Sequence, residues 1–274
     1  MSKHRAISTQ RLAGGLVLSA VTSGLAAAAL GSAGTANATC VSISGISVGG
    51  GCTSTLTSFA VGIGPGTTAT AAGLFSSAVA AGTNTKATAV GAFNIAYAGG
   101  NTSFATATGT ANVAANVLGN GNKVTAAGLG SVAVNALGNG NNVTGTGVAP
   151  LAVNFLGNGN TINSTGPVTT AINIASNGNT ISASKVGGVF NVASNGNTLS
   201  SSGPLNHIIN AGGGGNTITT FGTGLNMVFS ANNNGSTISA GPGPLATVFA
   251  AGQTGKTISQ TTPGLNIKGK SFPR

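Results

Sequence analysis

A spacing of about 19 residues runs through most of this chain, and the same residue type returns to the same place in each repeat. The first apolar residue after each Gly/Asn-rich turn is Val124, Val143, Ile162, Ile181, Leu199, Ile218, Ile238 or Ile258, at intervals of 19, 19, 19, 18, 19, 20 and 20 residues. Self-similarity at such a period marks a solenoid, in which each repeat buries its apolar face only against its neighbours. A second apolar column, Val134, Val153, Ile172, Phe190, Ile209, Phe229 and Phe249, keeps the same beat. Beside it run Asn116, Asn135, Asn154, Asn173, Asn191 and Asn210, giving way to Ser230 and Ala250.

Between the apolar columns lies a turn, written Gly-Asn-Gly-Asn at 119–122, 138–141 and 157–160 and Ser-Asn-Gly-Asn at 176–179 and 194–197. Gly and Asn accept positive φ at least cost, so these turns read as corners. Toward the N-terminus the pattern changes to Ala-Thr-Ala-x-Gly at 69–73, 87–91 and 105–109, but the beat continues, and the final glycines lead on to Gly128, Gly147 and Gly166 before Lys185 interrupts the column. The reading is all-β: a single parallel β-solenoid, of the β-roll or β-helix kind, with about eleven coils over residues 56–267. Each coil holds two or three short strands, stacked about 4.8 Å from their copies in the next coil. The interior is expected to be lined by the first apolar column on one side and the second on the other. The asparagine column is expected to be a structural ladder, its amides hydrogen-bonding along the stack.

Charge excludes more than any motif suggests. The chain has no Asp and no Glu, against ten Lys plus Arg. General acid and base work, glycoside hydrolysis and most calcium or magnesium sites need carboxylates. No residue is therefore nominated as catalytic, no cofactor or metal is expected, and the chain reads as a non-enzyme. Residues 1–38 have the form of a secretory signal peptide: Lys3, Arg5 and Arg11, an Ala/Leu/Val-rich stretch, then Ala36-Asn37-Ala38 before an expected cleavage at Thr39. Cleavage would remove three of the ten basic residues and leave seven. These are thinly spread except in a basic tail at 268–274, and with no Trp and one Tyr a nucleic-acid surface is not expected. Anionic cell-envelope polymers or glycans are the partners that the charge suggests. In an exported chain the two cysteines, Cys40 and Cys52, are expected to form a disulfide within an N-terminal cap at 39–55.

One pattern points to a surface. Thr161, Thr180, Thr198, Thr217, Thr237 and Thr257 precede the Val/Ile/Leu column, and Asn163, Ser182, Ser200, Thr219, Ser239 and Ser259 stand two residues further on. Strand alternation puts both sets on the face opposite the apolar column. This Thr-x-Thr/Ser array resembles the ice-binding face of β-solenoid antifreeze proteins, from which it departs at Asn142 and Lys123 and in its use of serine. The Gly-Asn-Gly-Asn turn resembles the β-roll repeat of calcium-binding RTX proteins, but lacks its calcium-binding aspartate; the resemblance implies corner geometry without calcium. The Ala-x-Ala-x-Gly repeats of 56–111 resemble the head repeats of trimeric autotransporter adhesins, in the repeat alone. The Ala-rich leader, early cysteine pair and Gly/Asn/Ala-rich body resemble the small exported repeat proteins of mycobacteria and related actinobacteria. That resemblance implies export and brings no activity. The resulting expectation is a secreted or envelope-associated structural or adhesive protein, with ice- or crystal-surface binding and self-assembly into fibres as the alternatives. The apolar residues on both sides of the asparagine column further suggest one sticky outer face.

Overall fold

Each repeat folds as two short strands joined by two corners, and successive repeats stack their strands into two sheets. The computed structural model describes residues 39–268 and the backbone of Lys270–Pro273. The expected signal peptide, 1–38, lies outside the described residues. All regular elements among the described residues are strands, fifteen in sheet A and twelve in sheet B. Sheet B runs from Cys52–Ser54 to Thr257–Gln260, and each of its strands leads to one of sheet A, from Phe59–Ile63 to Gly264–Ile267. Pairing between these coils is parallel and in repeat register: Val124 lies beside Val143, Val143 beside Ile162, Ile162 beside Ile181 and Ile181 beside Leu199. The expected all-β parallel solenoid is therefore present, with two strands per coil.

Antiparallel strands close both ends of sheet A. Thr39–Ile43 pairs antiparallel with Phe59–Ile63, and Ile46–Val48 folds back on it. At the other end Lys270–Pro273, within the segment expected as a basic tail, pairs antiparallel with Gly264–Ile267. A disulfide joins Cys40 to Cys52 and so links the first strand of sheet A to the first of sheet B.

The interior follows the expectation on one side and departs from it on the other. From sheet B, Val124, Val143, Ile162, Ile181, Leu199, Ile218, Ile238 and Ile258 all point inward, none more than 3% exposed. Burying each such side chain contributes about 1.5 to 3 kcal/mol. From sheet A, however, the inward residues are Ala133, Ala152, Ala171, Val189, Ile208, Val228 and Val248, together with the asparagine column. The second apolar column, Val134 to Phe249, faces outward. Consecutive residues of a strand point to opposite faces, so Val134 and Asn135 cannot both be inside. The asparagine takes the interior because its amide bonds the asparagine of the adjoining coil from Asn116 through to Asn210. In the N-terminal coils both sheets line the interior with alanine, including Ala69, Ala71, Ala78 and Ala80.

The corners use glycine for two separate reasons. Gly138 has φ +154 and sits so close to the next coil that a Cβ would lie 1.9 Å from the Gly157 carbonyl oxygen. Gly140 has φ +64 and open space around it, so only its backbone conformation asks for glycine. The asparagines of the same turns do not share this role: Asn139, Asn141, Asn158 and Asn160 are absent from the positive-φ residues, contrary to the expectation from their propensity. Their side chains explain them instead.

Candidate functional site

Three asparagine ladders run along the solenoid. In the expected one, each Nδ2 donates to Oδ1 of the preceding coil: Asn135 to Asn116 at 2.7 Å, and Asn154 to Asn135, Asn173 to Asn154, Asn191 to Asn173 and Asn210 to Asn191 at 2.8 Å. All six are fully buried. The series stops where Ser230 takes the column, and there Asn210 Oδ1 has no hydrogen-bond partner. A second buried ladder is made by the last asparagine of each turn, as where the Asn141 and Asn160 backbone N–H groups donate to Asn122 and Asn141 Oδ1 at 2.9 Å. A third, exposed ladder runs in the opposite sense, with Asn120 N–H donating to Asn139 Oδ1 and Asn139 N–H to Asn158 Oδ1 at 2.8 Å. The sequence signal for these two was the strict Asn-x-Asn of the turn, read only as a conformational preference. All three ladders satisfy backbone or amide groups at the bends, where the sheet bonds run out.

The hydroxyl columns lie on the outer face of sheet B. Thr180, Thr198, Thr217, Thr237 and Thr257 are exposed and Thr161 is half-buried. Ser182, Ser200, Thr219 and Ser239 stand beside them, half-buried by their stacked neighbours, and Ser259 is exposed. The middle column is longer than its recognised part. It continues N-terminally through Thr144, Thr125, Thr106, Thr88, Thr70 and Thr53, so that of twelve stacked positions only Asn163 lacks a hydroxyl. The Ala-Thr-Ala pattern of the early coils carried this signal, masked by its alanines. Neighbouring hydroxyls stand about 4.8 Å apart between coils and about 6.8 Å apart along a strand. Lys86 and Lys123 are exposed on the same face, in its first column.

The outer face of sheet A has the opposite chemistry. Its central column is Val79, Tyr97, Ala115, Val134, Val153, Ile172, Phe190, Ile209, Phe229 and Phe249, paired coil to coil without a polar interruption. Phe190, Ile209 and Phe249 are 38%, 40% and 42% exposed. The Phe229 and Phe249 rings stack with centroids 4.6 Å apart. No Lys or Arg stands on the parallel strands of this sheet.

Among the described residues no group of three His, Cys, Asp or Glu lies close enough together to hold a metal ion. No family model, curated protein or solved structure matches this chain. The class defined by the coordinates is thus a two-sheet parallel β-solenoid with one hydroxyl face and one apolar face.

Proposed function

We propose that this protein is a secreted or envelope-associated repeat protein with a structural or adhesive role and no catalytic activity, and that the outer face of sheet B is its contact surface. The observation that carries this reading is the outward hydroxyl column stacked over twelve coils. Single Thr or Ser contacts are weak, but a rigid row of them at a fixed spacing engages a repetitive polymer many times over. Lys86 and Lys123 on the same face add attraction for an anionic wall polymer or glycan. The Ala-rich leader, the likeness to exported actinobacterial repeat proteins and a disulfide compatible with an oxidising compartment support export. Fractionation of the producing cells tests the reading. The protein is expected on the envelope, released by high salt, and the purified chain is expected to sediment with isolated wall polysaccharide. Free protein in the medium with no such binding, or robust turnover of a wall glycan, would overturn it.

A second reading is favoured by one observation. Thr161 to Thr257 form six successive threonines in one outward column, paired in register. A regular threonine row suits an ordered solid surface such as ice. It predicts thermal hysteresis that Thr198→Tyr or Thr217→Tyr abolishes; no hysteresis in the wild-type chain sinks it.

A further inference from the structure

We propose that two copies of this chain pack face to face through the apolar outer surface of sheet A, with their solenoid axes antiparallel. This goes beyond the functional reading above and does not rest on it. The face is made by twelve parallel strands, and at about 4.8 Å per strand and about 3.3 Å per residue it measures on the order of 55 by 16 Å, or about 900 Å², mostly apolar, with Ser77, Thr170, His207 and Thr247 as polar positions in one marginal column. The largest apolar patch of an ordinary monomer is about 300 to 600 Å². A stable interface takes about 800 Å² from each partner. The apolar part of this face therefore exceeds the ordinary monomer range, and the whole is about right for one more copy.

Charge and shape both favour a second copy over other occupants. An anionic lipid surface would be met by lysines all around the apolar face, but Lys86 and Lys123 lie on the opposite sheet and Lys185 at a corner, and Lys268 borders the face at its C-terminal end alone, beside Phe249 and Ile267. Two copies of a basic chain can approach through sheet A without bringing those cations together. Tyr97 apart, the central column also grades in size, from Val and Ala in the N-terminal coils to Ile and Phe in the C-terminal ones. A two-fold axis in the interface plane, along the strands and midway between Leu151–Phe155 and Thr169–Ile174, sets large against small at every central pair but one. Phe249 then faces Val79 of the second copy, Ile209 faces Ala115 and Phe190 faces Val134, while Phe229 faces Tyr97 as an aromatic pair. Sheets packed this way interdigitate at about 10 Å, as in a sandwich core. The contact is isologous and closes on itself, leaving both hydroxyl faces pointing outward.

Sedimentation velocity of the purified full chain tests this, over about 1 to 100 µM so that mass action is visible. A dimer is expected. Val134→Glu and Phe190→Lys are each expected to give folded monomers, since both side chains point outward. The double variant is expected to recover the dimer, because each introduced carboxylate meets an introduced ammonium across the axis. Within one chain the two positions are three coils apart, about 14 Å, too far to pair. Ile172→Thr, which keeps a β-branched shape, is the milder variant and is expected to weaken dimerisation at least tenfold. Far-UV circular dichroism checks that each variant retains its strands. A wild-type monomer at every concentration would overturn the proposal, as would filaments growing with concentration. So would a monomer that binds phosphatidylcholine vesicles through this face, or a double variant that stays monomeric.

Discussion

Replacing Asn173 by Asp exposes the ladder through pH. Asn173 lies in the middle of the buried series, fully shielded from solvent. Its Nδ2 donates to Asn154 Oδ1 at 2.8 Å and to the Ser176 carbonyl at 3.2 Å. Its Oδ1 accepts from Asn191 Nδ2 at 2.8 Å, Ser176 Oγ at 3.1 Å and Asn179 Nδ2 at 3.4 Å. In Asn173→Asp an ionised carboxyl keeps the three accepted bonds but sets an oxygen against two acceptors. A protonated carboxyl restores one donor, and burial also disfavours the charge. The folded chain therefore holds this proton more tightly than the unfolded chain does. Stability follows the difference in bound protons, so the variant is most stable below the ordinary carboxylate range, about pH 4, and loses stability as pH rises above it.

The size of that loss follows from the same contacts. Burial moves a carboxyl by up to about three to five pH units, and three donors pull it back, which leaves a net displacement of about two units, or about 3 kcal/mol between pH 3 and 7. The background is favourable, because the wild-type chain has no Asp or Glu side chain to titrate in the acid range. Urea unfolding followed by far-UV circular dichroism at pH 3 to 7 reads the effect. Midpoints are the quantity to compare, since long repeat arrays need not unfold in one step. Asn173→Leu is the control: it removes all five bonds, should lower the midpoint by the same amount at every pH, and adds no titrating group. Parallel midpoints for wild type and Asn173→Asp across the whole range would refute the pH argument, and a wild-type midpoint for Asn173→Leu would refute the ladder as a source of stability.

Three further outcomes are expected, each read by the shift in unfolding midpoint. Ser230→Asn continues the ladder by one coil and gives Asn210 Oδ1 a donor; a gain of about 1 kcal/mol is expected, and a loss would mean that the column ends for lack of room. Gly138→Ala must displace the Gly157 carbonyl of the next coil, so it should cost several kcal/mol, whereas Gly140→Ala should cost only about 1 kcal/mol of left-handed backbone strain; equal effects would contradict the stacking distances. Val168 is exposed and holds φ +48, an unfavourable conformation for a β-branched residue. Val168→Asn should stabilise by about 1 kcal/mol, and a destabilised variant would show that its side chain has a partner elsewhere.

How much of this was legible in the sequence depends on what each column does. Ile162, Ile181 and Ile218 announce themselves because an apolar residue returning at a fixed period, just after a corner, has nowhere to go but inward. The asparagine ladder was legible as stacking for a related reason, since Asn135 or Asn173 flanked by apolar residues is a poor surface residue. What sequence did not resolve was parity. In strands such as Val132–Ala136 and Leu151–Phe155 both alternating sets are apolar or ladder-forming, so periodicity marks the strand without saying which set faces in. The larger residues, Val134 and Val153, have the apolar bulk of core residues and are outside; Ala133 and Ala152 are inside. The asparagine ladder decides this: with Asn135 and Asn154 bonded inside, strand alternation turns Ala133 and Ala152 in and Val134 and Val153 out. The hydroxyl column was half-read for a similar reason: Thr70, Thr88 and Thr106 sit between alanines that seemed to carry the repeat.

The absence of acids and the abundance of asparagine follow from one geometric fact. Every column of a parallel solenoid places a side chain about 4.8 Å from its own copy. A residue type that recurs must therefore tolerate itself as a neighbour. Two carboxylates at that distance repel by about 0.9 kcal/mol even in bulk water, and a column of twelve would repeat the penalty at each step. Asparagine carries a donor and an acceptor on one planar group, so each copy completes the next. Threonine and serine do so in part, and apolar residues pack against their like. The lysines obey the same rule: Lys86 and Lys123 share a column but Phe104 stands between them, which keeps their backbones about 9.6 Å apart. The stack thus filters the composition, and a chain assembled mainly from residues compatible with their own copies is left with Gly, Asn, Ala, Thr, Ser, Val and Ile. Such a chain is poorly supplied with the clustered acids and bases of an active site. What it offers to a partner instead is repetition, a long row of one chemistry on each face.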